Sequence, residues 1–188
     1  MHARLASTLI GLSAVLALSP AAVAGAGDAV SVDVVDRGGV FSVTGHFTVA
    51  AGDERTWRVL TDYDRFGSFI PTMRSSTVER TGPRSALVEQ ETTTTFLAFS
   101  KTNRVVLKVD EEPYKQLRFT DVSGRDFEVY RGAWKLTSRQ GETRVDYQAD
   151  AKPRFMPPTI GPSIMTRTVR SLLEDLRTEV LRRQAAGR

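Results

Sequence analysis

Residues 163–184 read SIMTRTVRSLLEDLRTEVLRRQ. Within them Met165, Val169, Leu172, Leu173, Leu176 and Val180 recur at steps of 4, 3, 1, 3 and 4. That is one apolar stripe at helical period. Arg167, Arg170, Glu174 and Arg177 are expected on the other side. A helix from about Ser163 to Gln184 would be roughly 33 Å long. Its stripe must be buried, and the rest of the chain has to supply the partner.

That partner is a sheet. From Met73 to Ala151 the chain reads as strand after strand: Ser75–Glu79, Ala86–Phe96, Thr102–Asp110, Gln116–Asp121, Asp126–Leu136 and Thr143–Ala151. Turn signals separate them at Thr81-Gly82-Pro83, Glu112-Pro113, Ser123-Gly124 and Gln140-Gly141. Such short connections make neighbours antiparallel. Alternation assigns the faces, with Val145, Tyr147 and Ala149 on one side and Arg144, Asp146 and Gln148 on the other. Pro153, Pro157, Pro158 and Pro162 then break the strand pattern ahead of the helix.

Upstream, Val30–Val35 and Val40–Val49 flank Asp36-Arg37-Gly38-Gly39. They form either a hairpin or one long bulged strand, with Phe41, Val43, Gly45, Phe47 and Val49 sharing a face. A short helix follows, capped by Asp53 and turning Trp57 and Leu60 inward. A second short helix or turn holds Phe66, Phe69 and Ile70 and stops at Pro71. The expected class is therefore α+β: a curved antiparallel sheet of six to seven strands, two short helices, and a long closing helix. A twisted sheet of that size curls. A single helix laid across it leaves an apolar gap, the usual setting of a ligand pocket.

The N-terminal residues read as an export signal. Arg4 is the positive start, Leu5 to Leu18 form the apolar run, and Ala22-Val23-Ala24 or Ala24-Gly25-Ala26 supplies the cleavage site. The expected division is 1–24 as signal peptide and 25–188 as one ligand-binding domain, periplasmic or secreted after cleavage at Ala24 or Ala26.

The chain has 188 residues, a formal charge of +4, no cysteine and two histidines, of which His2 falls in the predicted signal. Disulfides, thiolate metal sites and cysteine nucleophiles are excluded. A histidine-based metal site or triad has too few residues, so neither metal nor cofactor is expected. The arginines of the last helix suit a solvated face diluted by Glu174, Asp175 and Glu179, with transient membrane contact as the rival use. No aromatic platform among the basic residues points to nucleic acid.

The segment Trp57-Arg58-Val59-Leu60-Thr61-Asp62-Tyr63-Asp64-Arg65-Phe66 followed by Phe69-Ile70-Pro71 resembles the START-like helix-grip (SRPBCC) superfamily. Its polyketide cyclase/dehydrase and coenzyme Q-binding branches are the most similar. Ser75-Ser76, Glu89-Gln90, Gly132-Ala133-Trp134-Lys135-Leu136 and the leucine-rich last helix add to the resemblance, which spans about residues 29–184. It implies a deep cavity between sheet and terminal helix, and lipids, quinones or polyketides as guests. No position matches a catalytic constellation.

The candidate cavity residues are Phe69, Phe96, Tyr130, Trp134, Tyr147, Phe155, Met156, Met165, Val169 and Leu172. Tyr130 and Trp134 serve equally as pocket lining, with the phenol as a polar handle, or as plain core. Phe155-Met156 before a proline pair fits either a pliable gate or a rigid cap. Glu89 and Glu91 are assigned to an outer face, and Asp62 and Asp64 to capping and pairing with arginines. Three functions follow: a non-catalytic carrier of a hydrophobic molecule or lipid, a polyketide-type cyclase or dehydratase, and an envelope scaffold. The oligomeric state is left open.

Overall fold

The structure, a computed structural model, describes residues 30–96, 99–156 and 160–187. The proposed signal segment, Pro157 and Pro158 lie outside them. Strands β1 (Ser31–Arg37) and β2 (Val40–Val49) turn at Gly38 and Gly39, whose φ values of 67° and 86° are natural for glycine. Asp36 locks that turn by accepting the Gly39 N–H at 2.8 Å. Helix α1 (Asp53–Leu60) and a 3₁₀ helix (Tyr63–Ser68) follow. Then come β3 (Met73–Gly82), β4 (Ser85–Phe96), β5 (Phe99–Glu112), β6 (Gln116–Asp121), β7 (Phe127–Arg139) and β8 (Glu142–Pro153). Helix α2 (Gly161–Ala186) ends the described chain. No described helix is long and apolar enough to cross a membrane.

All eight strands form one antiparallel sheet in the order β1-β2-β8-β7-β6-β5-β4-β3. The count exceeds the expected six to seven because residues 31–49 form a true hairpin rather than one bulged strand. Helix α2 begins at Gly161, and Pro162 sits in its first turn instead of before it. Proline is tolerated there because the first N–H groups have no intrahelical partner. Gly52, not Asp53, is the cap of α1; the Asp53 carboxylate accepts the neighbouring Glu54 N–H at 2.8 Å.

The buried face of α2 carries Val169, Leu173, Leu176 and Val180. It rests chiefly on β1, β2 and α1. Gly45 makes the approach to β2 close: a Cβ there would stand 2.7 Å from Leu173 Cδ1. Two arginines of the supposedly solvated side reach back to this hairpin. Arg170 donates to the Val30 carbonyl at 2.7 Å and Arg177 to the Thr48 carbonyl at 3.2 Å. At the C-terminal end, Glu179 is 4 % exposed. It accepts from Arg182 at 2.7 and 2.8 Å and from Arg183 at 2.6 Å. Arg183 also donates to Asp62 at 2.7 Å, tying the short helices to α2.

Gly132 leaves room that no larger residue could. A Cβ on it would meet the Gln148 carbonyl oxygen at 2.3 Å and the Phe119 ring at 2.7 Å. Only glycine lets β7 pass this close to that ring and to β8.

Candidate functional site

Because α2 leans on one side of the sheet, space remains between it and the far strands. A cavity of about 210 Å³ lies there. This exceeds the ~150 Å³ apolar void that stays dry and admits a benzene. It falls below the ~300 Å³ at which pockets for drug-sized molecules begin. A single ring or an alkyl segment therefore fits without rearrangement.

Alternation along the strands builds the walls. Strands β4 and β5 contribute Val88, Val105, Leu107 and Val109, and β6 contributes Leu117 and Phe119. Strands β7 and β8 add Phe127, Tyr130, Trp134, Tyr147, Ala149 and Ala151. The lid is Ile164, Met165, Val169, Leu172 and Leu176 of α2, and Leu60, Tyr63, Phe66 and Ile70 close the side near α1. Trp134 and Tyr147 lie with centroids 4.5 Å apart, and Phe119 contacts Tyr130 at 5.2 Å. Such ring pairs stiffen the floor beyond their simple burial.

Of the expected cavity residues, Tyr130, Trp134, Tyr147, Phe155, Met156, Met165, Val169 and Leu172 all border this space. Phe69 does not. Its ring packs edge-on against Phe66 at 5.7 Å and lies under the Arg183 guanidinium at 5.4 Å. The 3₁₀ helix turns Phe66 to the cavity, while Phe69, just past its end with φ −139°, leaves the helical path and points elsewhere. The Phe96 side chain falls outside the described structure. Phe155 is 61 % exposed while also lining the cavity, so it stands at a mouth. The segment carrying it is pinned: the Arg154 N–H donates to the Asp126 carbonyl at 2.9 Å, and its guanidinium to the Gly124 carbonyl at 3.0 Å.

The polar equipment is sparse. The hydroxyls of Tyr130 and Tyr147 are hydrogen-bonded to each other deep in the protein. Burial pushes the Tyr130 phenol up, and the nearby Asp121 carboxylate adds to that. Burial also holds Tyr147 well above the ordinary phenol range, with Tyr130 beside it reinforcing the effect. Tyr63 is raised as well, by burial first and then by Glu111, which accepts its hydroxyl at 2.8 Å. All three phenols therefore remain neutral donors at physiological pH.

One set of lining residues was not among the expected cavity residues. Gln90, Thr92 and Thr94 of β4 and Lys101 and Asn103 of β5 line the cavity on its polar side. The strict alternation of β4 carried the signal, since Glu89 and Glu91 point outward between them. Among the described residues, no group of three or more histidines and carboxylates could hold a metal ion.

With this geometry in view, the sequence matches the model of the polyketide cyclase/dehydrase and lipid transport family over residues 49–177. The chain belongs to that family. Structures of similar shape include an aromatase/cyclase from Streptomyces sp. R1128, at TM-score 0.64 and 16% identity, covering 77% of this chain and 95% of that one. A STAR-related lipid transfer protein from Xanthomonas axonopodis superposes at TM-score 0.65 and 17% identity, over 81% and 99% of the two chains. A START superfamily protein from Mycobacterium smegmatis gives 0.59 and 14%, over 75% and 97%. No curated protein matches the sequence. At these identities the likeness of the polyketide cyclase/dehydrase and lipid transport fold is one of architecture.

Proposed function

We propose that the protein binds and carries a small hydrophobic molecule or lipid without transforming it. The observation that carries this reading is the apolar cavity beneath α2, with a mouth at Phe155 and Met156. A guest in this apolar space adds packing contacts to the folded state, so occupancy and stability are linked.

The cyclase or dehydratase reading has one point in its favour: titratable groups, Tyr130 and Tyr147, are buried at the cavity with raised pKa values. A neutral phenol can donate a proton or polarise a carbonyl. It cannot serve as a base at neutral pH. No carboxylate or histidine lines the cavity among the described residues to act as its partner. The carrier reading is therefore the stronger.

The apolar run Leu5–Leu18 with its small-residue sites supports placing this activity outside the cytoplasm. N-terminal sequencing of protein recovered from the envelope or medium tests that part, and a start at Met1 would count against it. For the ligand, organic extraction of the purified protein followed by mass spectrometry should release apolar molecules. Met165→Trp and Leu172→Trp, which fill the space, should abolish both that release and the binding of a fluorescent apolar probe. Retained binding in folded Trp variants would overturn the assignment of the cavity.

A further inference from the structure

The inner row of the β4–β5 ribbon changes character along its length. Cross-strand partners on that face are Ala86 with Val109, Val88 with Leu107, Gln90 with Val105, Thr92 with Asn103, and Thr94 with Lys101. Successive pairs on one face stand about 7 Å apart. The wall thus passes from fully apolar to fully polar over roughly 20 Å. A cavity with one greasy and one hydrogen-bonding end suits an amphiphile.

The charge at the polar end decides what kind. Lys101 is the one charged side chain among the described lining residues. Its ammonium is already matched: Asp126 accepts from it at 2.8 Å, and the same carboxylate takes the Arg104 N–H at 2.8 Å. Asp126 thus stays ionised and holds Lys101 at the rim. The remaining groups, Gln90, Thr92, Thr94 and Asn103, are neutral. Gln90 makes only a long 3.4 Å bond to Ser76. Among the described residues, Thr92 and Asn103 side chains have no hydrogen-bond partner, which leaves their donors and acceptors turned to the cavity. A site with balanced charge and spare neutral hydrogen-bonding groups penalises an incoming ion and rewards a hydroxyl, carbonyl or amide.

We infer that the guest is an uncharged amphiphile whose hydroxyl, carbonyl or amide head is held by Thr92 and Asn103, with its tail running toward Val88 and Leu107. This rests on the carrier reading and narrows its ligand class. Lys101 then acts as a selector: neutralised by Asp126, it offers no net attraction to a carboxylate head.

The test uses the purified full-length chain and displacement of the uncharged fluorophore N-phenylnaphthylamine by dodecanol and dodecanoate, both below their aggregation limits at neutral pH. Dodecanol should displace the probe at about tenfold lower concentration than dodecanoate. Asp126→Asn, which frees Lys101, should reverse that order. Thr92→Val with Asn103→Leu should bring dodecanol down to the affinity of dodecane. Equal displacement by both compounds, or no change of preference in Asp126→Asn while the probe still binds, overturns the head-group inference alone. Failure of the fluorophore and both amphiphiles to bind the folded protein removes the carrier reading as well.

Discussion

Replacing Glu179 by Gln should expose how the terminal helix is anchored. Glu179 accepts three hydrogen bonds from Arg182 and Arg183. Those bonds hold its carboxyl at about 2 against an ordinary 4.5, with the Arg182 bond the largest cause and burial opposing it. Each unit of difference is worth about 1.36 kcal/mol, which gives about 3 kcal/mol. Arg182 is 61% exposed, so solvent screens its share, and about 2–3 kcal/mol is the reasonable expectation. The sign follows from the lowered value. The contribution is complete above the unfolded carboxyl's pKa near 4.5 and drains away as the pH falls toward 2. By pH 3 roughly half to two-thirds of it should be lost. Urea unfolding of both proteins at pH 7, 4 and 3 measures this. At pH 7 Glu179→Gln should be less stable by about 2–3 kcal/mol, and the gap should narrow to about 1 kcal/mol at pH 3. A gap that stays constant across this range would refute the reasoning, because the loss would then come from packing rather than charge.

Other outcomes follow from the same structure. Gly132→Ala puts a Cβ 2.3 Å from the Gln148 carbonyl and should cost about 2 kcal/mol or more in thermal unfolding; an unchanged midpoint contradicts the close packing at Gly132. Tyr130→Phe removes the hydroxyl paired with Tyr147 and should cost about 1 kcal/mol, read by chemical denaturation. Tyr63, Tyr130 and Tyr147 are all raised, so their stabilising effect is present below pH ~10 and disappears above it. Spectrophotometric titration should find them silent until the protein unfolds in alkali, and ionisation in the folded state near pH 10 would disprove their burial.

Much of this architecture was legible in the residues. The stripe from Met165 to Val180 gave the long helix, and alternation in Val145, Tyr147 and Ala149 gave the inner face of β8, because burial imposes period on both. The aromatic motif from Trp57 to Pro71 carried the family. What stayed hidden depends on three-dimensional offsets. Phe66 and Phe69 are three residues apart, a spacing that would put both on one side of a 3₁₀ helix, but Phe69 stands just past the helix end in a non-helical conformation and takes a different direction. Arg170 and Arg177 look like surface residues in any helical projection. Their long side chains reach the β1–β2 carbonyls only because Gly45 brings helix and hairpin so close. The partnership of Lys101 with Asp126 spans two loops and has no local sequence signal.

The two arginine bonds have a dynamic consequence. They fasten α2 along one long edge, to backbone carbonyls that side-chain substitution cannot remove. Toward β4–β7 the helix meets mainly the hollow. A door hung on one jamb is the nearest likeness: an outward swing of the helix would break greasy contacts on the free side while these two bonds stayed in place. Loading and unloading then need no unfolding of the sheet.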